Sequence, residues 1–210
     1  MAGRISGLQS GGMRPPRAAS RMMERMKKTS RRKVNAKVLT SRMVYRGPAF
    51  WVASDQVLEP SGVTVRRDIV HHTGSVVVLG VDDSRSEPRV LLVRQYRYAA
   101  KQYLWELCAG RIDKGENELA AAKREFREET GYTATSWKRI LRFYASPGFV
   151  AETMSIYLAR GLRPGPPQPE EDEVIELKFF PLSAALRMVM RGVIQDAKTI
   201  SGVLWLAQQR

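Results

Sequence analysis

From Lys37 onward, apolar residues come in short clusters ended by turn residues. Val38-Leu39 and Met43-Val44-Tyr45 stop at Gly47-Pro48, and Phe50-Trp51-Val52 opens a stretch that Pro60-Ser61-Gly62 closes. Residues 63–70 follow the period of a half-buried strand. Residues 75–81 are apolar almost throughout, which predicts a strand covered on both faces. Asp82-Asp83-Ser84 turns the chain and residues 90–93 return it, so this pair reads as a hairpin with an irregular loop. Further strands are predicted at 139–144, 154–159 and 173–180.

Residues 118–130 change period. They are rich in Ala, Leu, Glu, Lys and Arg, follow Gly115, and meet Gly131 in the position that ends a helix. Two more helices are predicted at 182–190 and 196–208. Between strands, residues 163–173 (RPGPPQPEEDE) form a Pro-rich acidic loop. There is no internal repeat. The order is strands, helix, strands, helices, which predicts an α/β or α+β sandwich and not a doubly wound sheet.

Composition bounds the classes. With 210 residues and 43% apolar content the chain is long enough for a real core, and wholesale disorder is excluded. A single cysteine excludes an intrachain disulfide framework and fits a reducing compartment, hence a cytoplasmic protein. No apolar run approaches the roughly 20 residues needed to span a bilayer, and no signal-peptide core follows Met1, so no membrane partner is expected.

The net charge of +14 first suggests a nucleic-acid binder. Its distribution changes that picture. Residues 1–46 hold 13 Lys and Arg against one acid, Glu24, while the rest of the chain holds 22 basic and 20 acidic residues. Residues 1–34 read as a basic, disordered tail with a short helix near 22–28. Six of the nine methionines fall within residues 1–43, which fits a start placed upstream of the true one. A transit peptide and a polyanion-binding arm are the other two readings. Nucleic-acid binding is therefore expected through this tail or not at all.

On a wheel of about 100° per residue, Glu125, Glu128 and Glu129 share an arc of about 100°, beside an apolar stripe of Leu119, Ala122 and Phe126. The apolar stripe docks on the sheet, leaving the carboxylates along the edge of the packed surface. Three such carboxylates repel one another unless cations neutralise them. They are either a solvated face paired with Lys123, Arg124 and Arg127, or ligands for a hard divalent ion such as Mg²⁺.

The spacing favours the second reading. Residues 110–132, GRIDKGENELAAAKREFREETGY, resemble the Nudix box: Gly, five residues, Glu, seven residues, then Arg-Glu-apolar-x-Glu-Glu-x-Gly-apolar. Gly110, Glu116, Arg124, Glu125, Phe126, Glu128, Glu129, Gly131 and Tyr132 all match. The resemblance implies the Nudix fold, a mixed sheet between helices, here preceded by an N-terminal strand segment. It implies hydrolysis of a nucleoside diphosphate linked to a second group. It also implies two or three Mg²⁺ ions, or Mn²⁺ in their place, held by Glu125, Glu129, Glu128 and the main-chain carbonyl of Ala109. Arg124 would hold the box together by ion pairing, Glu116 would cap or brace its loop, and Gly110 and Gly131 would serve its backbone.

The flanks resemble the ADP-ribose pyrophosphatase branch of that family over roughly residues 37–208. They are Arg94-Gln95-Tyr96-Arg97, Leu104-Trp105-Glu106-Leu107-Cys108-Ala109-Gly110, and Ala145-Ser146-Pro147-Gly148, with Pro147 lying 16 residues beyond Gly131. By that resemblance Arg97 contacts substrate phosphate or ribose, with Arg94 and Glu106 as secondary candidates. Glu152, on a mobile loop, is either the general base for water or a carboxylate that braces structure or binds metal. Phe50 or Trp51 either stacks on adenine across a dimer or packs in the core. Cys108 departs from the proline of many relatives and is read as packing; His71 and His72 are read as structural or peripheral.

The expected organisation is a tail at 1–34, a strand segment for dimerisation and substrate stacking at 35–72, and the hydrolase domain at 73–210. The expected activity is Mg²⁺-dependent cleavage of ADP-ribose or a related nucleoside diphosphate sugar to AMP and a sugar phosphate, by a homodimer. The rivals are another sugar specificity such as GDP-mannose, a non-hydrolysing Nudix ligand sensor, and an RNA-directed protein using the tail. Retention of all three box glutamates argues against the sensor.

Overall fold

The computed structural model describes residues 35–166 and 175–209. The basic tail with its helix at 22–28, and most of the acidic loop, lie outside the described residues. A three-stranded antiparallel sheet comes first, β1 (Lys37–Arg46), β2 (Trp51–Leu58) and β3 (Thr64–His71), in the order β1-β2-β3. The second sheet contains β4 (Ser75–Asp82), β5 (Arg89–Arg97), β6 (Gln102–Glu106), β7 (Cys108–Arg111), β8 (Thr133–Tyr144), β9 (Thr153–Arg163) and β10 (Glu176–Pro181). Its main path runs β10-β5-β4-β9-β8, with β6 on β5 and β7 on β4. β4 and β9 run parallel and the other pairs antiparallel, so the sheet is mixed. The helices are α1 (Glu118–Thr130), α2 (Leu182–Met190) and α3 (Ala197–Ala207).

The run at 75–81 is apolar because both its faces are covered. Val77, Leu79 and Val81 join Val90, Leu92 and Leu107 under α2 and α3; Val76 and Val78 join Leu91, Val93 and Phe126 under α1. Strand alternation sends successive residues of β4 into two separate cores. Gly80 lies on the α1 side, where a Cβ would come within 2.8 Å of Phe126 Cζ. Removing the buried Phe126 ring by Phe126→Ala would cost about 3–5 kcal/mol.

The expected hairpin of β4 and β5 pairs only at its tip, through Val81↔Val90 and Asp82↔Arg89. Beyond the tip the two strands part. β6 then takes β5 (Arg97↔Gln102, Val93↔Glu106) and β7 takes β4 (Val77↔Ala109, Val76↔Gly110). The sequence did not predict β6 and β7, because stretches this short carry too few residues to establish a period. The divergence brings Arg97, Glu106 and Ala109-Gly110 to one region of the sheet.

The N-terminal sheet is tied on through Val70, whose N–H donates to Phe149 O and whose carbonyl accepts from Ala151 N, both at 2.8 Å. Arg111 adds a hydrogen bond to Pro48 O at 2.9 Å. Every residue of β1 is exposed, including Val38, Leu39, Met43, Val44 and Tyr45.

Candidate active site

Helix α1 sets the site. Asn117 caps its first turn by accepting from Ala120 N at 2.9 Å, and Gly131 ends it with φ 71°, a left-handed conformation that glycine adopts at little cost. Phe126, Ala121 and Ala122 bury one side, and Glu129 is drawn in with them to 7% exposure. Glu118 braces the N-terminal turn, accepting from Arg139 Nη1 at 2.9 Å and Tyr157 OH at 3.3 Å.

Arg124 sits at the centre of the box. Its Nε and Nη2 contact the two oxygens of Glu116 at 3.1 and 2.9 Å, and Nη1 contacts Glu125 Oε1 at 2.8 Å and Glu128 Oε2 at 3.2 Å. Nη2 also donates to Arg111 O at 3.1 Å. The hydrogen bonds to Glu116, set against some desolvation, raise the guanidinium further above its ordinary value, and Arg124 lowers the Glu116 carboxyl in turn. Glu116 also accepts from Asp113 N at 3.2 Å, so it both pairs with the arginine and closes the loop before α1.

Gly110 is required by a close approach. An ideal Cβ there would lie 1.9 Å from Glu125 Cδ and 2.2 Å from each carboxylate oxygen. Only a residue without a side chain lets Glu125 lie this close to β7. As the side chains stand, Arg124 engages Glu125 and Glu128, and among the described residues no three His, Cys, Asp or Glu groups meet at metal-binding spacing. The glycine gap and the all-oxygen donors nevertheless fit a hard divalent cation, which binds few protein carboxylates and keeps positions for water and phosphate.

Arg97 lies within electrostatic reach of one member of this stripe, Glu129. Its Nε and Nη2 clasp Glu106 at 2.8 and 2.9 Å, and it feels the charges of Glu129 and Asp196. The Glu106 hydrogen bond, ahead of opposing desolvation, raises its pKa. Glu106 is only 1% exposed; burial works to raise its carboxyl, but Arg97 and Lys198 together hold it below the ordinary range. Glu106 is thus a support for Arg97 and does not reach solvent. Lys198, Asp196 and Thr199, all at the start of α3, were missed from sequence. The available signal was a lysine in the first turn of a helix, where the dipole disfavours a cation.

Glu152 lies between β8 and β9 and accepts from Ser75 Oγ through Oε1 at 2.5 Å. His72 is beside it, Nδ1 being 3.5 Å from the same oxygen. Because Nδ1 accepts the Gly74 N–H at 3.1 Å, the neutral ring carries its proton on Nε2. Neither Ser75 nor His72 was singled out from sequence as a neighbour of Glu152. Pro147, with Ile69, Tyr144 and Phe149, lines an adjacent cleft of about 300 Å³.

Three sequence candidates lie elsewhere. Arg94 is three residues from Arg97, so it projects from the opposite face of β5, over the rings of Tyr103 and Trp105 and 3.3 Å from Glu176. Trp51 stacks on His71 with ring centres 5.2 Å apart, and Phe50 leans on Tyr45 at 5.5 Å. No ring contact joins either to α1 among the described residues. Cys108 is buried in the α1 core.

Known proteins resemble this chain in sequence and fold. The NUDIX domain model matches residues 71–201. An ADP-ribose pyrophosphatase of Mycobacterium tuberculosis (strain ATCC 25618 / H37Rv) is 37% identical over 169 residues, 79% of this chain and 80% of that protein. One from Bacillus subtilis (strain 168) is 35% identical, covering 81% of this chain and 91% of its own. A GDP-mannose pyrophosphatase of Cronobacter sakazakii (strain ATCC BAA-894) is 37% identical over 56% of this chain and 65% of its own. A crystal structure of an ADP compounds hydrolase has the same fold, with TM-score 0.71 at 23% identity over 84% of this chain and 96% of that one. With the glutamate-bearing helix inside a domain match that spans more than half its length, the chain belongs to the Nudix hydrolase family.

Proposed function

We propose that the protein hydrolyses the pyrophosphate of ADP-ribose, releasing AMP and ribose 5-phosphate. One observation carries the reading: a guanidinium, Arg97, is clamped by a buried carboxylate within electrostatic reach of Glu129, one of the three box glutamates. A fixed cation opposite carboxylates that take metal is a site for a doubly charged phosphate chain. The ADP-ribose relatives match about four fifths of the chain, the GDP-mannose relative little more than half, and this favours the adenosine substrate.

Glu125, Glu129 and Glu128, with the Ala109 carbonyl, would hold two or three Mg²⁺ ions, or Mn²⁺ in their place. Bound there, such ions would supply shielding of the pyrophosphate charge, polarisation of phosphorus and a more acidic water. Arg124 holds Glu125 and Glu128 in position, and Arg97 binds a phosphate through the N–H groups that Glu106 does not use. Glu152, turned by Ser75, takes the water proton; the water oxygen joins phosphorus and the bridging oxygen leaves with the other phosphate.

Residues 35–72 serve as a dimerisation and stacking segment: the apolar side chains exposed along β1 suit a second copy of this chain. Phe50, less committed than Trp51, is the better candidate for stacking on the base. Residues 73–210 form the hydrolase domain, and residues 1–34 are dispensable for turnover. Among the described residues no helix is long and apolar enough to cross a membrane, and the buried single cysteine suits a reducing compartment, so we place the activity in the cytoplasm.

The test is a panel of nucleoside diphosphate sugars and dinucleotides with Mg²⁺, scored by cleavage products. ADP-ribose is expected to have the highest kcat/KM. A higher value for GDP-mannose would replace the substrate and keep the chemistry; no turnover of any member would end the assignment.

A further inference from the structure

One buried cation has no part in the chemistry above. Lys198, second residue of α3, is 7% exposed and donates from Nζ to Glu106 Oε2 at 2.5 Å and to Asp196 Oδ1 at 2.9 Å. Fold stability alone does not account for an ammonium here. A buried ion pair generally gains little over apolar side chains of the same volume, and the first turn of a helix is the wrong end for a positive charge. What the ammonium does secure is the carboxylate behind Arg97.

Glu106 spends Oε1 on Arg97 Nε and Oε2 on both Arg97 Nη2 and Lys198 Nζ. The next residue is held by the same turn of α3, since Leu107 N donates to Thr199 Oγ1 at 2.7 Å, and Thr199 Oγ1 in turn meets Asp196 at 2.5 Å. Asp196 also caps the helix by accepting from Thr199 N at 3.0 Å. The junction between β6 and β7 is therefore pinned to α3 immediately before Ala109-Gly110. Among the described residues Arg97 commits Nε and Nη2 to Glu106, which leaves Nη1 for another partner.

We propose that Lys198 is a positioning residue for substrate binding: through Glu106 it fixes the Arg97 guanidinium at the angle from which Nη1 meets a phosphate of the nucleoside diphosphate. The inference rests on the hydrolase reading above, and wild-type turnover of ADP-ribose tests that reading separately. If the wild type is inactive on ADP-ribose, the substrate assignment fails; the inference on Lys198 is judged by the variants of the active enzyme.

The experiment is a double-mutant cycle on the full chain with Mg²⁺ and ADP-ribose, comparing Lys198→Met, Arg97→Ala and the pair, with thermal melting of each. Lys198→Met is expected to raise KM about tenfold, the scale of one weakened charged hydrogen bond, with kcat changed much less. Lys198→Arg should recover most of that loss. The pair should have the KM of Arg97→Ala alone, because both act at one contact. An unchanged KM in folded Lys198→Met, or effects that multiply in the pair, would overturn the proposal. If Lys198→Met strands the Glu106 carboxylate and fails to fold, Glu106→Gln/Lys198→Met removes that charge. Its KM should equal that of Glu106→Gln, and a further rise would overturn the proposal equally.

Discussion

At the scale of single residues, the proposed chemistry depends on carboxylates that would repel one another without the groups between them. Glu129 is the most buried of the three box glutamates, so its charge is the least screened by water. Glu129→Gln keeps the shape and removes the charge: at limiting Mg²⁺ turnover should fall at least about 100-fold, the scale of losing a main electrostatic group, while circular dichroism and the melting temperature stay close to wild type. Gly110→Ala tests the opposite partner. The added methyl would sit 1.9 Å from Glu125 Cδ, so either β7 or the carboxylate must move. A loss of at least about tenfold in turnover is expected together with weaker Mg²⁺ dependence, read from a metal titration. Wild-type metal affinity in a folded Gly110→Ala would remove Glu125 from the ligand set. These glutamates and Gly110 were legible because box spacing is local: one helix turns Glu125, Glu128 and Glu129 to one side whatever surrounds it. Lys198 was not, because its partner Glu106 is 92 residues away in sequence.

At the scale of elements, β4 and β5 pair only at a tip that carries an ion pair, and they part beyond it. Arg89 donates to Asp82 Oδ2 at 2.5 and 3.1 Å, and Ser84 N donates to Oδ1 at 2.9 Å. Led by the Arg89 hydrogen bond, these lower the Asp82 carboxyl from 3.8 to about 2. Since the folded pKa lies below the unfolded one, the group stabilises the fold above the unfolded pKa, and that share is lost as pH falls through the folded value. Asp82→Asn should therefore be less stable than wild type at neutral pH, and the gap should narrow as pH falls from about 4 to about 2 in denaturant titrations. A gap independent of pH would show that the pair does not titrate as described. The helices were readable to within a residue or two from their period and caps. β6 and β7 were not, since a strand of four or five residues is defined by the neighbour that pairs with it.

At the scale of the whole molecule, the charge and the exposed β1 strand make separable claims. Removing residues 1–34 should leave kcat/KM for ADP-ribose within about twofold, because the box glutamates, Arg97 and Glu152 all lie outside that segment. A large, salt-dependent loss of RNA binding on the same deletion, with no ADP-ribose turnover before it, would favour the nucleic-acid reading. The exposed Val38 and Met43 of β1 are expected to be covered by a second copy: the full chain should have the mass of a dimer in solution, and Val38→Asp/Met43→Asp should convert it to a monomer. A wild-type monomer would leave β1 without that role.

The sequence by itself determined the local things: which segment is a helix, where it is capped, which carboxylates it aligns, and that the net charge of +14 belongs almost wholly to residues 1–46. These follow from spacing along one element, and no distant residue is needed to establish them. Tertiary structure alone decided which of two arginines, three apart on one strand, clasps the buried Glu106 and feels the charge of Glu129. It also decided that Glu106 is a buried support, that Ser75 and His72 stand beside Glu152, and that Lys198 stands behind Glu106. Those relations join strands and helices far apart in sequence, and only the packing of the sheet between its helices fixes them.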